Sequence, residues 1–227
     1  MHNNKEFTWL WLPIIGILCI LPFTPFLDLA ISRYFFVKDS GFAKNDSFYL
    51  FFYYWGDIPG FFIGVTSLIL SVWCYFSRTL ISYQFTIFLT ALVFMIGPGL
   101  IIHFALKETI NRPRPVNIEE FGGKQTYRPA YAISLSLPTK NRNKSFPSGH
   151  VSMAMMFYPL ARGAKFRRNM LLYYFLILFC ILLTTFVGLS RIAQGGHYFS
   201  DVLASILIMY LTTRGVERML KTKGKWD

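Results

Sequence analysis

The sequence predicts an all-α membrane protein, a polytopic helical bundle with six transmembrane helices in a single domain over residues 1–227. Three observations lead to this prediction. Hydrophobic residues make up 54% of the chain, they are gathered in long blocks, and several blocks reach the roughly 20 residues that a helix needs to cross a bilayer. Because these blocks do not alternate as barrel strands do, helices are expected.

Four blocks contain no Asp, Glu, Lys or Arg, and each predicts a membrane span: 7–27, 58–77, 79–106 and 170–190. Kinks are expected at Pro13 and Pro98. The first block also has an alternative interpretation as a cleaved secretory signal, because Lys5 precedes it. Its length exceeds the roughly 7–15 apolar residues of a signal peptide, which favours a span.

Two shorter stretches, 151–161 and 202–213, reach spanning length only if they begin with the polar residues before them, near Ser148 and His197. They complete the six helices and leave a long loop, 107–147, between the third and the fourth. No repeat, low-complexity tract or linker divides the chain.

Basic residues predict the orientation, because cytoplasmic loops of membrane proteins are enriched in Lys and Arg. The loop 162–169 is basic without an acidic residue, and the segment after 213 is also strongly basic. This side is expected to face the cytoplasm, although the long loop on the other side is basic as well. The long loop is then extracytoplasmic, and in a bacterial inner membrane it faces the periplasm.

The net charge of +12 would indicate a nucleic-acid partner in a soluble protein. Here the basic residues flank membrane helices, so membrane lipids and a phosphorylated lipid substrate are the expected partners, and nucleic acid is not. Cys19, Cys74 and Cys180 lie inside apolar blocks and are interpreted as small hydrophobic residues.

Three polar segments stand next to these spans. Their fixed positions are Lys107-x6-Arg114-Pro115, Pro147-Ser148-Gly149-His150 and Ser190-Arg191-x5-His197-x3-Asp201. On the orientation above, all three emerge at the outer face, as a functional site requires. In this order and without a substitution they resemble the three-part signature of the type 2 phosphatidic acid phosphatase superfamily.

The chemistry of these residues fits cleavage of a phosphate ester, which needs an in-line nucleophile, a proton donor and positive charge around the phosphate oxygens. His197 and Asp201 are four positions apart at the start of a predicted helix, so the carboxylate can hold the imidazole in one tautomer. His197 is then the candidate nucleophile, through a phosphohistidine. The plainer alternative is a histidine that caps a helix at the membrane surface.

His150 is the candidate donor of a proton to the leaving group. It follows Ser148 and Gly149 where an apolar helix begins, so Ser148 is expected to cap that helix and free backbone N–H groups to face an anion. In isolation, the same residues indicate an ordinary turn.

The resemblance implies that Lys107, Arg114 and Arg191 bind the phosphate oxygens, the two guanidinium groups as forked donors. Any one of them alone would be interpreted as a solvated charge at a helix end. Arg112 stands outside the pattern, as does His103, four residues before Lys107.

A zinc site is the main chemical alternative, because two histidines and an aspartate could bind the metal. Three basic side chains already supply positive charge, no His-x-Glu or Cys-x-x-Cys pattern accompanies them, and the resemblance implies a metal-independent enzyme. No cofactor is expected.

The expected substrate is a lipid whose phosphate lies at the head-group level. The segments Phe121-Gly-Gly123 and Tyr127-Arg-Pro129 are similar to loops of bacterial lipid A phosphatases, which remove the 1- or 4′-phosphate; a generic outer loop is the alternative. Phosphatidic acid, phosphatidylglycerol phosphate and undecaprenyl pyrophosphate remain candidates, and so does a phosphotransferase that uses the same histidine. A receptor or transporter without turnover would have a broken motif. The sequence assigns no role to Arg112, Lys124 or Arg128.

Overall fold

A computed structural model describes residues 11, 14–77, 80–132 and 143–222. Within these ranges, five helical segments are long and apolar enough to cross a membrane: Ile14–Tyr34, Ser47–Phe76, Ile81–Thr109, Met170–Ala193 and Phe199–Thr222. The prediction of a helical, multi-pass membrane protein is confirmed. The predicted number of six spans is not. Pro13, where a kink was expected, lies outside the described residues.

The first span ends in helix α1 (Thr24–Tyr34), which follows a 3₁₀ turn over Leu21–Phe23. Both begin with a proline in the first turn, where the missing N–H costs no hydrogen bond. Strands β1 (Phe36–Val37) and β2 (Gly41–Phe42) then form a short antiparallel hairpin.

The second span consists of two helices, α2 (Ser47–Trp55) and α3 (Ile58–Phe76). Asp46 caps α2, because its carboxylate accepts hydrogen bonds from the backbone N–H groups of the first turn. Gly56 and Asp57 separate the two helices, and the break places a carboxylate in the middle of a membrane span.

The third span contains a 3₁₀ turn at Ile81–Tyr83, helix α4 (Gln84–Phe94) and a π-helix over Met95–Leu106 that continues into the turn Lys107–Thr109. Pro98 lies inside the π-helix. Proline cannot donate a backbone hydrogen bond, so regular α-helical bonding is interrupted around it. The expected kink takes the form of a widened segment that leads into Lys107.

Helices α5 (Gly149–Ala154) and α6 (Phe157–Phe166) occupy the stretch that was expected to form the fourth span. A turn at Met155 and Met156 separates them, and neither helix reaches spanning length. The pair still connects opposite ends of the bundle. The Phe166 ring stacks on that of Phe85, at the beginning of the third span, with ring centroids 3.9 Å apart.

Helices α7 (Met170–Ala193) and α8 (Phe199–Thr222) complete the bundle. The helices approach one another closely: a methyl group added to Gly60 of α3 would lie 1.9 Å from the carbonyl oxygen of Met153 in α5. At the end near the α8 C-terminus, Arg162 of α6 donates two hydrogen bonds, 2.8 and 2.7 Å, to the buried carboxylate of Glu217. Arg214 and Lys221 also lie within 2.8 and 3.0 Å of that carboxylate.

The described part of the long loop packs on the hairpin and on the connection between α7 and α8. It forms 3₁₀ turns over Pro115–Asn117 and Glu119–Phe121. A cluster of buried apolar side chains, which we call the loop cluster, joins the three parts: Phe42, Ile118, Phe121 and Tyr198. The loop is therefore anchored directly beside His197.

Candidate active site

The three motif segments meet at one end of the bundle. His150, at the start of α5, lies in the electrostatic field of four other groups of the motifs: Arg191, His197, Lys107 and Arg114. Gly149 lets the backbone of α5 approach Lys107 and His103 closely. A methyl group at this position would lie 3.0 Å from the Lys107 amine and 3.2 Å from the His103 ring. Three basic side chains and two histidines from five parts of the fold therefore meet at the site.

His197 lies in the connection between α7 and α8, and it is 2% exposed. Its Nδ1 makes a short hydrogen bond to the backbone carbonyl of Ser145. Because a carbonyl oxygen can only accept, Nδ1 carries the proton and Nε2 keeps its lone pair. Burial lowers the pKa of His197 to about 4, so the imidazole is neutral at pH 7.

The spacing of four residues predicts that Asp201 holds the His197 imidazole directly. The structure shows no direct hydrogen bond between them. Asp201 Oδ2 is 3.7 Å from His197 Nδ1, which is longer than a hydrogen bond. The carboxylate instead accepts hydrogen bonds from Ser145 Oγ at 2.6 Å and from the Tyr198 N–H at 2.9 Å. Asp201 thus orients Ser145, and the carbonyl of Ser145 orients the imidazole.

A buried ion-pair network behind Asp201 was not foreseen in the sequence. Arg112 is 2% exposed, and its guanidinium bridges the carboxylates of Asp201 and Asp28, the latter at 2.7 Å. The guanidinium carbon also lies 4.2 Å from the centroid of the Tyr198 ring. The sequence contains one indication of this network. Asp28 directly follows the first charge-free block, and an acidic residue at membrane depth is rarely without a function.

Two residues of the second span also contact the site. The Tyr53 ring stacks on His150, with centroids 5.3 Å apart, and Arg191 lies 4.6 Å from the centroid of the same ring. Asp57, at the break between α2 and α3, is 3.7 Å from His150 Nε2. No pattern of residue spacing connects these positions with the motifs.

Two buried donors among the motif residues have no hydrogen-bond partner, Ser148 Oγ and Arg191 Nε. Arg191 uses another nitrogen to donate to Gln194 at 2.7 Å. Ser148 precedes α5 but its side chain makes no capping bond, which differs from the expectation. Buried donors without a partner are costly, and an anion with several acceptor oxygens would satisfy both.

Among the described residues, no group of three or more His, Cys, Asp and Glu side chains is placed to hold a metal ion. His150 and His197 have separate carboxylate neighbours, Asp57 and Asp201. Of the loop residues without an assigned role, Arg128 accepts a 2.8 Å hydrogen bond from Arg112 through its backbone carbonyl, and Lys124 is exposed.

A family model described as the PAP2 superfamily matches residues 88–225. The chain is also similar to a lipid A 4′-phosphatase of Francisella tularensis subsp. novicida (strain U112), with 28% identity over 205 residues that cover 89% of this chain and 90% of that protein. No solved structure matches the chain. All three motif segments fall inside the matched region, whereas Asp28, Tyr53 and Asp57 precede it.

Proposed function

The chain belongs to the PAP2 superfamily and is a phosphatase that hydrolyses phosphoric monoesters, and we propose that its substrate is the 4′-phosphate of lipid A, cleaved through a phosphohistidine at His197. The single observation that carries the mechanism is the hydrogen bond from His197 Nδ1 to the Ser145 carbonyl. It leaves Nε2 as a free nucleophile beside three basic side chains.

In the first step, His197 Nε2 attacks phosphorus and the bond to the lipid oxygen breaks. Lys107, Arg114 and Arg191 stabilise the charge on the phosphate oxygens, together with the donors Ser148 Oγ and Arg191 Nε. The phosphorylated imidazole carries positive charge, because Nδ1 keeps its proton. The carboxylate of Asp201, 3.7 Å away, stabilises this charge.

His150 donates the proton that the lipid oxygen requires. Burial, and the field of Arg191 and the other cations, lower the pKa of His150 to about 3 while no anion is bound. A phosphate group between these cations offsets their field, which raises the pKa of His150 and lets it act as an acid. In the second step water attacks phosphorus, His150 takes its proton, and phosphate leaves Nε2.

The choice of lipid A rests on the likeness to the lipid A 4′-phosphatase, which extends over 89% of the chain and includes the long loop. The site lies at one end of the bundle, while Lys165, Arg167 and Arg168 lie at the other, in the last turn of α6 and just after it. By the positive-inside rule, this distribution of basic residues supports a site at the periplasmic face of a bacterial inner membrane. A lipid phosphate at the head-group level can reach it there.

The test is phosphate release by purified protein in detergent with EDTA. The substrates are lipid A with both phosphates, phosphatidic acid, phosphatidylglycerol phosphate and undecaprenyl pyrophosphate. Mass spectrometry of the lipid A product assigns the position that is lost, and His197→Ala is the control. Loss of the 4′-phosphate alone is expected. Preferred release from another lipid would overturn the substrate, and activity that returns only with added metal would overturn the mechanism.

The role of His150 has its own test. An ester with a weakly basic leaving group, such as p-nitrophenyl phosphate, needs little proton donation in the first step. Measured as the single-turnover rate of phosphoenzyme formation, the first step of His150→Gln should therefore slow much more with the lipid than with this ester. An equal loss on both would argue against proton donation to the lipid oxygen.

A further inference from the structure

We propose that Asp28, contributed by the first membrane span, is a positioning residue for the nucleophile: through Arg112 and the first turn of α8 it fixes Asp201, Ser145 and the imidazole of His197. The inference rests on the proposed function of His197. Asp28 lies outside the region that the family model matches, and Arg112 lies within the first motif segment but is not one of its fixed positions.

The connection from Asp28 to His197 is continuous. Arg112 Nη2 donates to Asp28 at 2.7 Å, and Arg112 Nη1 donates to Asp201. Asp201 accepts from Ser145 Oγ at 2.6 Å, and the Ser145 carbonyl accepts from His197 Nδ1. The Ser145 N–H also donates to the Arg112 carbonyl at 3.2 Å. Each link is buried, so none is weakened by competition with water.

Asp28 also holds the beginning of α8 from outside that helix. Its Oδ1 accepts from the Ser200 N–H at 2.8 Å, and its Oδ2 accepts from Ser200 Oγ at 2.6 Å. The first turn of α8 carries Asp201 and follows His197 directly. One carboxylate in the first span therefore restrains both the helix that carries Asp201 and the arginine that contacts it.

The charges of the network favour the same role. Two carboxylates, Asp28 and Asp201, flank one guanidinium, so with both carboxylates ionised the network carries a net negative charge next to the imidazole. Tyr127 also faces it, with its hydroxyl 3.0 Å from Asp28 Oδ2. Positive charge that develops on His197 during phosphorylation is therefore stabilised. If Asp28 were neutral, Arg112 would offset most of the charge of Asp201.

The chain offers a matched control for loss of a buried acid. Glu217 is 3% exposed and pairs with Arg162, as Asp28 is 0% exposed and pairs with Arg112, but Glu217 lies at the opposite end of the bundle. Asp28→Asn and Glu217→Gln each remove one charge from a buried pair with little change in size. Only the first is expected to alter His197.

The experiment combines turnover and spectroscopy on the purified full chain. Asp28→Asn is expected to lower kcat about 10- to 100-fold with KM within about threefold, as for residues that orient a catalytic group. Glu217→Gln is expected to keep kcat within about twofold. With only four histidines in the chain, the ¹⁵N signals of His197 can be assigned by His197→Ala. In Asp28→Asn they should show a mixture of tautomers at neutral pH.

Arg112→Met provides the second arm. Because Asp28 acts partly through Arg112 and partly through Ser200, the double variant Asp28→Asn/Arg112→Met should lose less activity than the product of the two single losses. Additive losses, or an unchanged His197 spectrum in Asp28→Asn, would reduce Asp28 to a structural residue and overturn the inference. Full activity in His197→Ala would instead overturn the proposed function, so the two failures are distinguishable.

Discussion

Replacement of Asp201 by asparagine measures how much the carboxylate contributes to the chemical step. The group is buried, and its Oδ2 lies 3.7 Å from His197 Nδ1. At an effective dielectric constant of about 20, a unit charge at this distance stabilises the developing imidazolium by about 4 kcal/mol. Arg112 offsets part of this field. We therefore expect a net loss of about 2–4 kcal/mol, or a roughly 30- to 1,000-fold decrease in kcat.

The assay is single-turnover formation of the phosphoenzyme with radiolabelled lipid, followed by thermal unfolding of each variant in detergent. KM should change little, because Lys107, Arg114 and Arg191 are untouched. Ser145→Ala is an informative companion: it removes one hydrogen bond to Asp201 but keeps the carbonyl that orients His197, so we expect a loss of about tenfold at most. A kcat of Asp201→Asn within a factor of about five of the native value would refute the electrostatic argument.

Three further predictions concern stability. The pKa of His197 is about 4 in the folded protein against an ordinary value of 6.5, so the unfolded chain takes up a proton that the folded protein does not. Stability should be independent of this group above pH 6.5 and fall by about 1.4 kcal/mol per pH unit between pH 6.5 and 4, and His197→Ala should remove that contribution in thermal scans. Arg162→Met should lower the melting temperature and leave kcat unchanged, since its partner Glu217 lies at the far end of the bundle; a change in kcat would contradict the separation of the two ends. Gly60→Ala should destabilise the bundle by several kcal/mol, because the new methyl group would lie 1.9 Å from the Met153 carbonyl oxygen; unchanged denaturation in detergent would show that α3 and α5 are not in backbone contact.

The sequence predicted best those features of the fold that depend on residues close together in the chain. Apolar blocks located all five spans, because spanning length follows from bilayer thickness, and their ends agree within about three residues for the third and the fourth span and less closely for the others. The exception is the stretch after His150, where two short helices stand in place of one. There, polar residues and Gly163 allow packing against neighbours, and composition alone does not define a continuous helix.

The motifs predicted which residues meet, but not how they contact one another. His197 and Asp201 are neighbours on the chain, yet their link passes through Ser145, which is 52 positions from His197. Asp28 and Arg112 are not fixed positions of any motif, and their pairing depends on how the loop after the third span packs against the first span. Contacts of this kind depend on the tertiary fold, and residue spacing carries no information about them.

The distance along the chain between Asp28 and its partners has a consequence for biogenesis. Ser200, which donates two hydrogen bonds to Asp28, is 172 positions away from it. During synthesis the first span enters the membrane long before α8 exists. The Asp28 carboxylate therefore has no hydrogen bond from Ser200 until α8 has been made. On the proposed mechanism, His197 can take its working orientation only after the helix that begins at Phe199 has inserted. A chain arrested earlier in insertion therefore cannot hydrolyse the lipids that surround it.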